Sequence, residues 1–151
     1  MTELASDRTS PRLTLTVLAA IHLTVVLWHG SAHSDLAVGL SRFQTLFVFC
    51  VILIAPVLAT VLLWTPLKDF AIWVYAISML ASLLFGIYYH YISVSPDNVH
   101  YLPAGAHSAH RQFVNSAGVV AVIELIATVV SGARVVIGSG SDSNVRTQVD
   151  V

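Results

Sequence analysis

Charged side chains are scarce in this sequence: of its 151 residues, only 10% are Asp, Glu, Lys or Arg, whereas soluble globular domains carry about 25%. The stretches 13–34, 43–67, 70–96 and 112–123 contain none. The mean hydropathy is +0.81, and each stretch lies in an apolar segment that can supply the ~20 residues of a membrane-spanning helix. The composition therefore excludes a soluble enzyme and predicts an integral membrane protein.

The net charge is also small, and the cysteine content is low. The formal net charge is −1, which excludes a basic nucleic-acid binder and a protein with a strongly acidic tail. Cys50 is the only cysteine and lies within a hydrophobic run. The chain therefore has no intrachain disulfide and no metal site built from cysteines.

Four apolar segments predict four transmembrane helices. The connections after the first and second segments are short, which favours an all-α, antiparallel four-helix bundle in the membrane. The residues from 138 onward are rich in Gly, Ser and Asp and have too few apolar side chains to pack into a hydrophobic core. We therefore predict a cytoplasmic N-terminal segment at 1–12, a transmembrane domain at 13–137 and a disordered tail at 138–151. The predicted transmembrane helices lie at about 13–29, 43–64, 70–92 and 112–137.

Two further features bear on these helices. Pro56 should kink the second helix, because proline removes a backbone donor and crowds the preceding turn. The connector at 93–111 contains Pro96, Asp97 and Asn98, which favour ordered turns. Since long loops in compact bundles usually have a function, we expect an ordered lid over one end of the bundle.

A signal peptide is an alternative interpretation of the first segment. Arg8 and Arg12 precede its apolar stretch, and Gly30, Ser31 and Ala32 form a tolerable cleavage pattern. The length of the stretch favours a transmembrane helix instead.

Positive side chains are divided unevenly between the two ends of the predicted bundle. With four crossings, five lie on the side of the termini and two on the opposite side. Because positive residues concentrate in cytoplasmic loops, we expect a multi-pass protein of the cell membrane with both termini in the cytoplasm. The five are Arg8, Arg12, Lys68, Arg134 and Arg146, and the two are Arg42 and Arg111.

Histidine is abundant, and its placement matters more than its number. Six of the seven histidines fall at the predicted non-cytoplasmic end of the bundle. At 100° per residue, those of the first segment share one helix face if the helix continues past Gly30. The six are His29, His33, His90, His100, His107 and His110.

This cluster suggests a transition-metal site, because imidazole is a favoured ligand of zinc and copper. The predicted metal ligands are His29, His33, His90, His107 and His110, and the groups that could add a ligand or orient an imidazole are Asp35, Asp97 and His100. Haem held between His29 and His90 is disfavoured, since both lie at the membrane edge. The alternative is that these histidines only bond to backbone, water or lipid headgroups.

A second polar feature lies deeper in the predicted membrane region. Exposing the ionisable side chains of Glu124 and His22, the seventh histidine, to lipid costs free energy. Both side chains should therefore face the interior of the bundle. We expect them to form a buried polar pair, which could fix helix register or take part in proton movement.

Scattered motifs in this chain resemble a group of small, uncharacterised four-span membrane proteins of prokaryotes. The resemblance implies the four-span architecture with a polar outer mouth, and it implies no activity. The dense histidine boxes of membrane di-iron desaturases are missing. The motifs are Ala32-His33, Leu36, Val38-Gly39, Gln44, Ala55-Pro56, Phe85-Gly86-Ile87-Tyr88-Tyr89-His90 and Pro96-Asp97-Asn98-Val99.

The leading functional hypothesis is a four-helix membrane protein with a histidine-lined polar site at its non-cytoplasmic mouth that binds a divalent transition metal, zinc or copper. One alternative is a non-catalytic accessory subunit of a larger membrane complex. Another is a small proton-coupled carrier that uses Glu124 and forms a homo-oligomer. The sequence favours binding over catalysis but leaves the question of an enzyme open.

Overall fold

The chain folds into four helices and, among the residues described, no strand. The computed structural model describes residues 3–149 along the backbone and residues 11–137 with their side chains. The predicted all-α four-helix architecture is confirmed. Along the backbone, residues 138–149 continue the last helix, where the sequence predicted a disordered tail. The helices are α1 (Glu3–Asp35), α2 (Arg42–Leu62), α3 (Lys68–Ile92) and α4 (His107–Val149).

All four helices are long and apolar enough to cross a membrane. Only 17% to 33% of the residues in their most apolar windows are buried inside the protein, so most of their apolar side chains face outward. Phe43, Ile77 and Val129 are examples, each more than 60% exposed. An outer surface of this kind is stable in lipid and not in water, which indicates a membrane protein.

Small side chains allow the helices to approach closely. Helix α4 packs against both α1 and α3, and α3 packs against α2. Ala59, Ser82, Ala117 and Ser131 are almost completely buried at these contacts. Lipid gives apolar helices no hydrophobic reason to associate, so close contact at small residues is the expected means of packing.

Helix α1 runs through Gly30, where the sequence suggested its end, and continues to Asp35. Burial of Ala32 and Leu36 beyond this point outweighs the ~1 kcal/mol by which glycine disfavours a helix interior. The helix ends at Ala37, whose φ of 52° is left-handed. The Val38 N–H donates to the His33 carbonyl at 2.9 Å, which is the bond of a Schellman motif.

Two π-helical turns shape the outer half of the bundle. The first, Val48–Ile54 in α2, directly precedes Pro56. Since proline has no N–H and its ring crowds the carbonyl four residues earlier, the preceding turn widens to the longer hydrogen-bonding pattern. The kink expected at this proline thus takes the form of a π-helical segment. The second, Tyr88–Ile92, ends α3.

The connector after α3 is ordered and folds over the outer end of the bundle. Asn98 is buried, and its side chain donates to the Ser93 carbonyl at 2.8 Å and accepts from the His100 N–H at 2.9 Å. Val99 and Leu102 pack against the buried apolar cluster at the end of α1. This connector is shorter than predicted, because α4 begins at His107.

Candidate metal centre

Three histidines from two helices meet beneath the connector. His29 and His33 lie one turn apart on α1, and His90 lies in the π-helical turn of α3. The Nε2 atom of His29 is 3.1 Å from Nε2 of His33 and 3.2 Å from Nε2 of His90. One ligand nitrogen from each of the three lies within 4.8 Å of the others. This group, called the histidine triad below, could hold a metal ion.

Oxygen atoms facing Nδ1 favour one tautomer of each triad histidine. The Ser116 hydroxyl donates to the Gln112 carbonyl at 2.6 Å, so it can only accept from Nδ1–H of His29, at 2.8 Å. His90 donates its Nδ1–H to the Asp97 carbonyl at 2.9 Å, and His33 faces the Val38 carbonyl at 3.4 Å. In the tautomer with the proton on Nδ1, the Nε2 atoms turn lone pairs toward one another.

The connector adds a buried carboxylate to the triad. Asp97 is 3% exposed, and its Oδ1 lies 3.3 Å from His33 Nε2 and 3.2 Å from His90 Nδ1. This oxygen accepts no hydrogen bond from the residues described. Three imidazole nitrogens and one carboxylate oxygen therefore lie close together, and the Nδ1–H of His90 also faces this oxygen.

Neighbouring side chains hold this arrangement in place. The fully buried Phe113 packs against all three imidazole rings, with centroids 4.8–5.5 Å away. Ser41 and Gln44 form a capping box at the start of α2, and the Gln44 amide also donates to Asp97 Oδ2 at 3.4 Å. The site is thus positioned by all four helices and by the connector.

The remaining residues predicted for this site do not join the triad. Asp35, His100 and His107 are exposed. His110 donates from Nε2 to the Pro103 carbonyl at 2.7 Å, which helps to hold the connector against the first turns of α4. The sequence predicted His107 and His110 in the connector, but the structure places both in α4, which begins five residues before its charge-free stretch.

His22 and Glu124 meet in the interior. The Nε2 of His22 lies 3.2 Å from Oε1 of Glu124, and the two residues are 2% and 1% exposed. The second carboxylate oxygen of Glu124, Oε2, has no hydrogen-bond partner among the residues described.

A cavity of about 580 Å³ connects Glu124 with the triad. All three triad histidines and Glu124 line it, and most of its other lining side chains are apolar. The π-helical segment of α2 contributes Val48, Phe49 and Ile52 to its wall.

Sequence reasoning missed three residues that support the triad: Gln44, Phe113 and Ser116. The spacing of Ser41 and Gln44 is a recognisable capping box, but it does not show that the glutamine also reaches Asp97. No sequence signal pairs Ser116 with His29, which lies 87 residues away.

Haem does not fit between His29 and His90. Two axial imidazoles lie on opposite faces of the macrocycle, and their nitrogens, only 3.2 Å apart, leave no room for it.

Comparison with protein-family models, with curated proteins and with solved structures gives no match for this chain. Fold and site therefore define the class by themselves: an all-α protein with four helices apolar enough to cross a membrane and a histidine triad that could hold a metal ion. The resemblance to four-span prokaryotic proteins stays a prediction.

Proposed function

We propose that this protein binds a divalent transition metal ion, zinc or copper, at the histidine triad within the cell membrane. The observation that carries the proposal is the convergence of three histidine Nε2 atoms, each from a ring whose Nδ1 faces an oxygen acceptor. In the tautomer with the proton on Nδ1, lone pairs at this separation repel one another, and a bound cation would relieve the repulsion. Histidine ligands of metals commonly show the same support, with the second ring nitrogen donating to a carbonyl or another acceptor.

The spacing of the ligand atoms suits zinc. Tetrahedral zinc with Zn–N bonds of 2.0–2.1 Å places neighbouring nitrogens about 3.3–3.4 Å apart. Two of the three Nε2 separations, 3.1 and 3.2 Å, are close to this value, and the third pair of ligand nitrogens lies within 4.8 Å. Copper(II) prefers a square-planar or tetragonal arrangement, so the triad favours zinc.

Charge also supports a cation. Asp97 is buried, and its carboxylate lies beside the imidazoles of His33 and His90. A buried carboxylate is costly unless a positive charge balances it. A divalent ion bound by the triad would balance this charge and accept Oδ1 as a fourth ligand. The ion would then join α1, α3 and the connector.

Metal content of the purified protein tests the proposal. We expect about one zinc or copper ion per chain in detergent-purified wild type, measured by inductively coupled plasma mass spectrometry after dialysis against metal-free buffer. His33→Ala should remove most of it, because this variant loses a ligand. His33 is partly exposed, so its replacement disturbs packing less than replacement of the buried His29.

His107→Ala is the matched control, since this histidine is exposed on the first turn of α4. It should bind as much metal as wild type, and circular dichroism should show equal helix content in all three proteins. Metal-free wild type, or equal metal content in His33→Ala and His107→Ala, would refute the proposal.

A further inference from the structure

The cavity that joins the triad to Glu124 has the size and lining of a small-molecule site. Its volume of about 580 Å³ lies within the 300–1,000 Å³ of typical ligand pockets. Its walls are largely apolar, and polar atoms occur at only a few places. Phe49 in the wall is 56% exposed, so the cavity opens toward the lipid-facing surface of α2.

Two polar atoms of the cavity wall are buried and lack a partner. Glu124 Oε2 and Ser82 Oγ each have no hydrogen-bond partner among the residues described, and their residues are 1% and 0% exposed. The carboxylate oxygen can accept a hydrogen bond, and the hydroxyl can donate one. Leaving such groups unsatisfied in the interior costs free energy, so a ligand that serves both is favoured.

Gly86 leaves space for the polar end of such a ligand. A Cβ atom at this position would lie 3.8 Å from Glu124 Oε2 and 3.9 Å from Cδ2 of His90. Any atom in this space would thus contact both the carboxylate and the triad. Ser82 lies one helical turn earlier in α3, on the same face as Gly86.

We propose that this cavity binds a lipophilic alcohol from the bilayer, with its hydroxyl group between Glu124 and Ser82 and its hydrocarbon chain against the π-helical segment of α2. A hydroxyl group donates one hydrogen bond and accepts others, which matches the two unpartnered atoms. An ether can accept but cannot donate, and an alkane can do neither. The assignment does not depend on bound metal, although the hydroxyl group lies next to the triad.

Photolabelling tests the assignment. The probe is a twelve-carbon alcohol with a diazirine at the end of its chain, and the matched compound is its methyl ether. With the full-length protein in lipid nanodiscs, we expect the alcohol to label the peptide that contains Val48–Ile54. The ether should label it about tenfold less, because the bond to the Glu124 carboxylate is lost.

Two variants separate binding in the cavity from labelling of the outer surface. Ile52 is 8% exposed and lines the cavity, whereas Ile54 of the same π-helical segment is 56% exposed. Ile52→Trp should abolish labelling by filling the cavity, and Ile54→Trp should leave it unchanged. Gly86→Ala adds only a methyl group at van der Waals distance, so it should fold normally and reduce labelling severalfold.

Equal labelling by alcohol and ether, or labelling that persists in both Ile52→Trp and Gly86→Ala, would overturn the assignment. Metal content, measured on the same samples, distinguishes a failure of the alcohol assignment from a failure of the proposed metal binding. Ile52→Trp should keep its metal while it loses the alcohol. Wild type without metal that still prefers the alcohol would refute only the metal proposal.

Discussion

At the scale of single residues, the site depends on which nitrogen of each imidazole carries the proton. Ser116 shows this best, because its hydroxyl hydrogen is taken by the Gln112 carbonyl at 2.6 Å. The serine can therefore only accept from His29, which directs the Nε2 lone pair of that histidine into the triad. A side chain that touches no ion would thus set the orientation of a proposed metal ligand.

Replacing this serine should weaken metal binding without removing it. We predict that Ser116→Ala lowers zinc affinity about 10–100-fold, the usual effect of losing a group that orients a ligand. Competition with a chelator of known affinity measures the change. Ser34→Ala is the control, since the Ser34 hydroxyl is exposed and donates to the Gly30 carbonyl of its own helix. An unchanged affinity in Ser116→Ala would contradict the tautomer argument.

At the scale of elements, the site depends on where helices end. Because α1 continues five residues past Gly30, His33 stays on the same helix face as His29. The π-helical turn that ends α3 carries His90. The connector then returns over the triad, and its Val99 N–H donates to the His90 carbonyl at 3.0 Å.

The fold of the connector depends on Asn98. We predict that Asn98→Ala destabilises the protein by about 1–3 kcal/mol, because the Ser93 carbonyl and the His100 N–H lose their partner. Unfolding in mixed micelles of increasing SDS content measures this loss. Asn115→Ala replaces an exposed asparagine of α4 and should change stability by less than about 0.5 kcal/mol. Similar losses in both variants would argue against the connector as a stabilising element.

At the scale of the whole molecule, four crossings would place the triad near one membrane surface and the loop between α2 and α3 near the other. The distribution of positive residues predicts that the triad faces away from the cytoplasm. The ion would then be exchanged with the external side, while Glu124 lies deeper, at the inner end of the cavity.

Cysteine accessibility in whole cells tests this orientation. In a Cys50→Ala background, we expect a membrane-impermeant maleimide to modify Ala104→Cys, which lies in the exposed part of the connector. Asp69→Cys, at an exposed position at the start of α3, should react only after lysis. The opposite pattern would place both termini outside, and modification of both in intact cells would contradict an even number of crossings.

The sequence alone was sufficient to predict the fold class and the three triad histidines as candidates. The four apolar stretches determine the helices, because backbone groups in lipid must be paired within each segment. Gly30, in contrast, led to a wrong prediction of where α1 ends. The low helix propensity of glycine is outweighed there by the burial of Ala32 and Leu36.

Only the tertiary structure decided which of the six outer histidines meet. His29 and His33 share a helix, but their pairing with His90 depends on how α1 and α3 pack, and His107 is on an exposed part of α4. The same holds for Ser116 and Asp97, which are far from their partners in sequence. Hydropathy specifies which segments enter the membrane, whereas side-chain packing between helices specifies which polar groups come within bonding distance, and no local pattern encodes that packing.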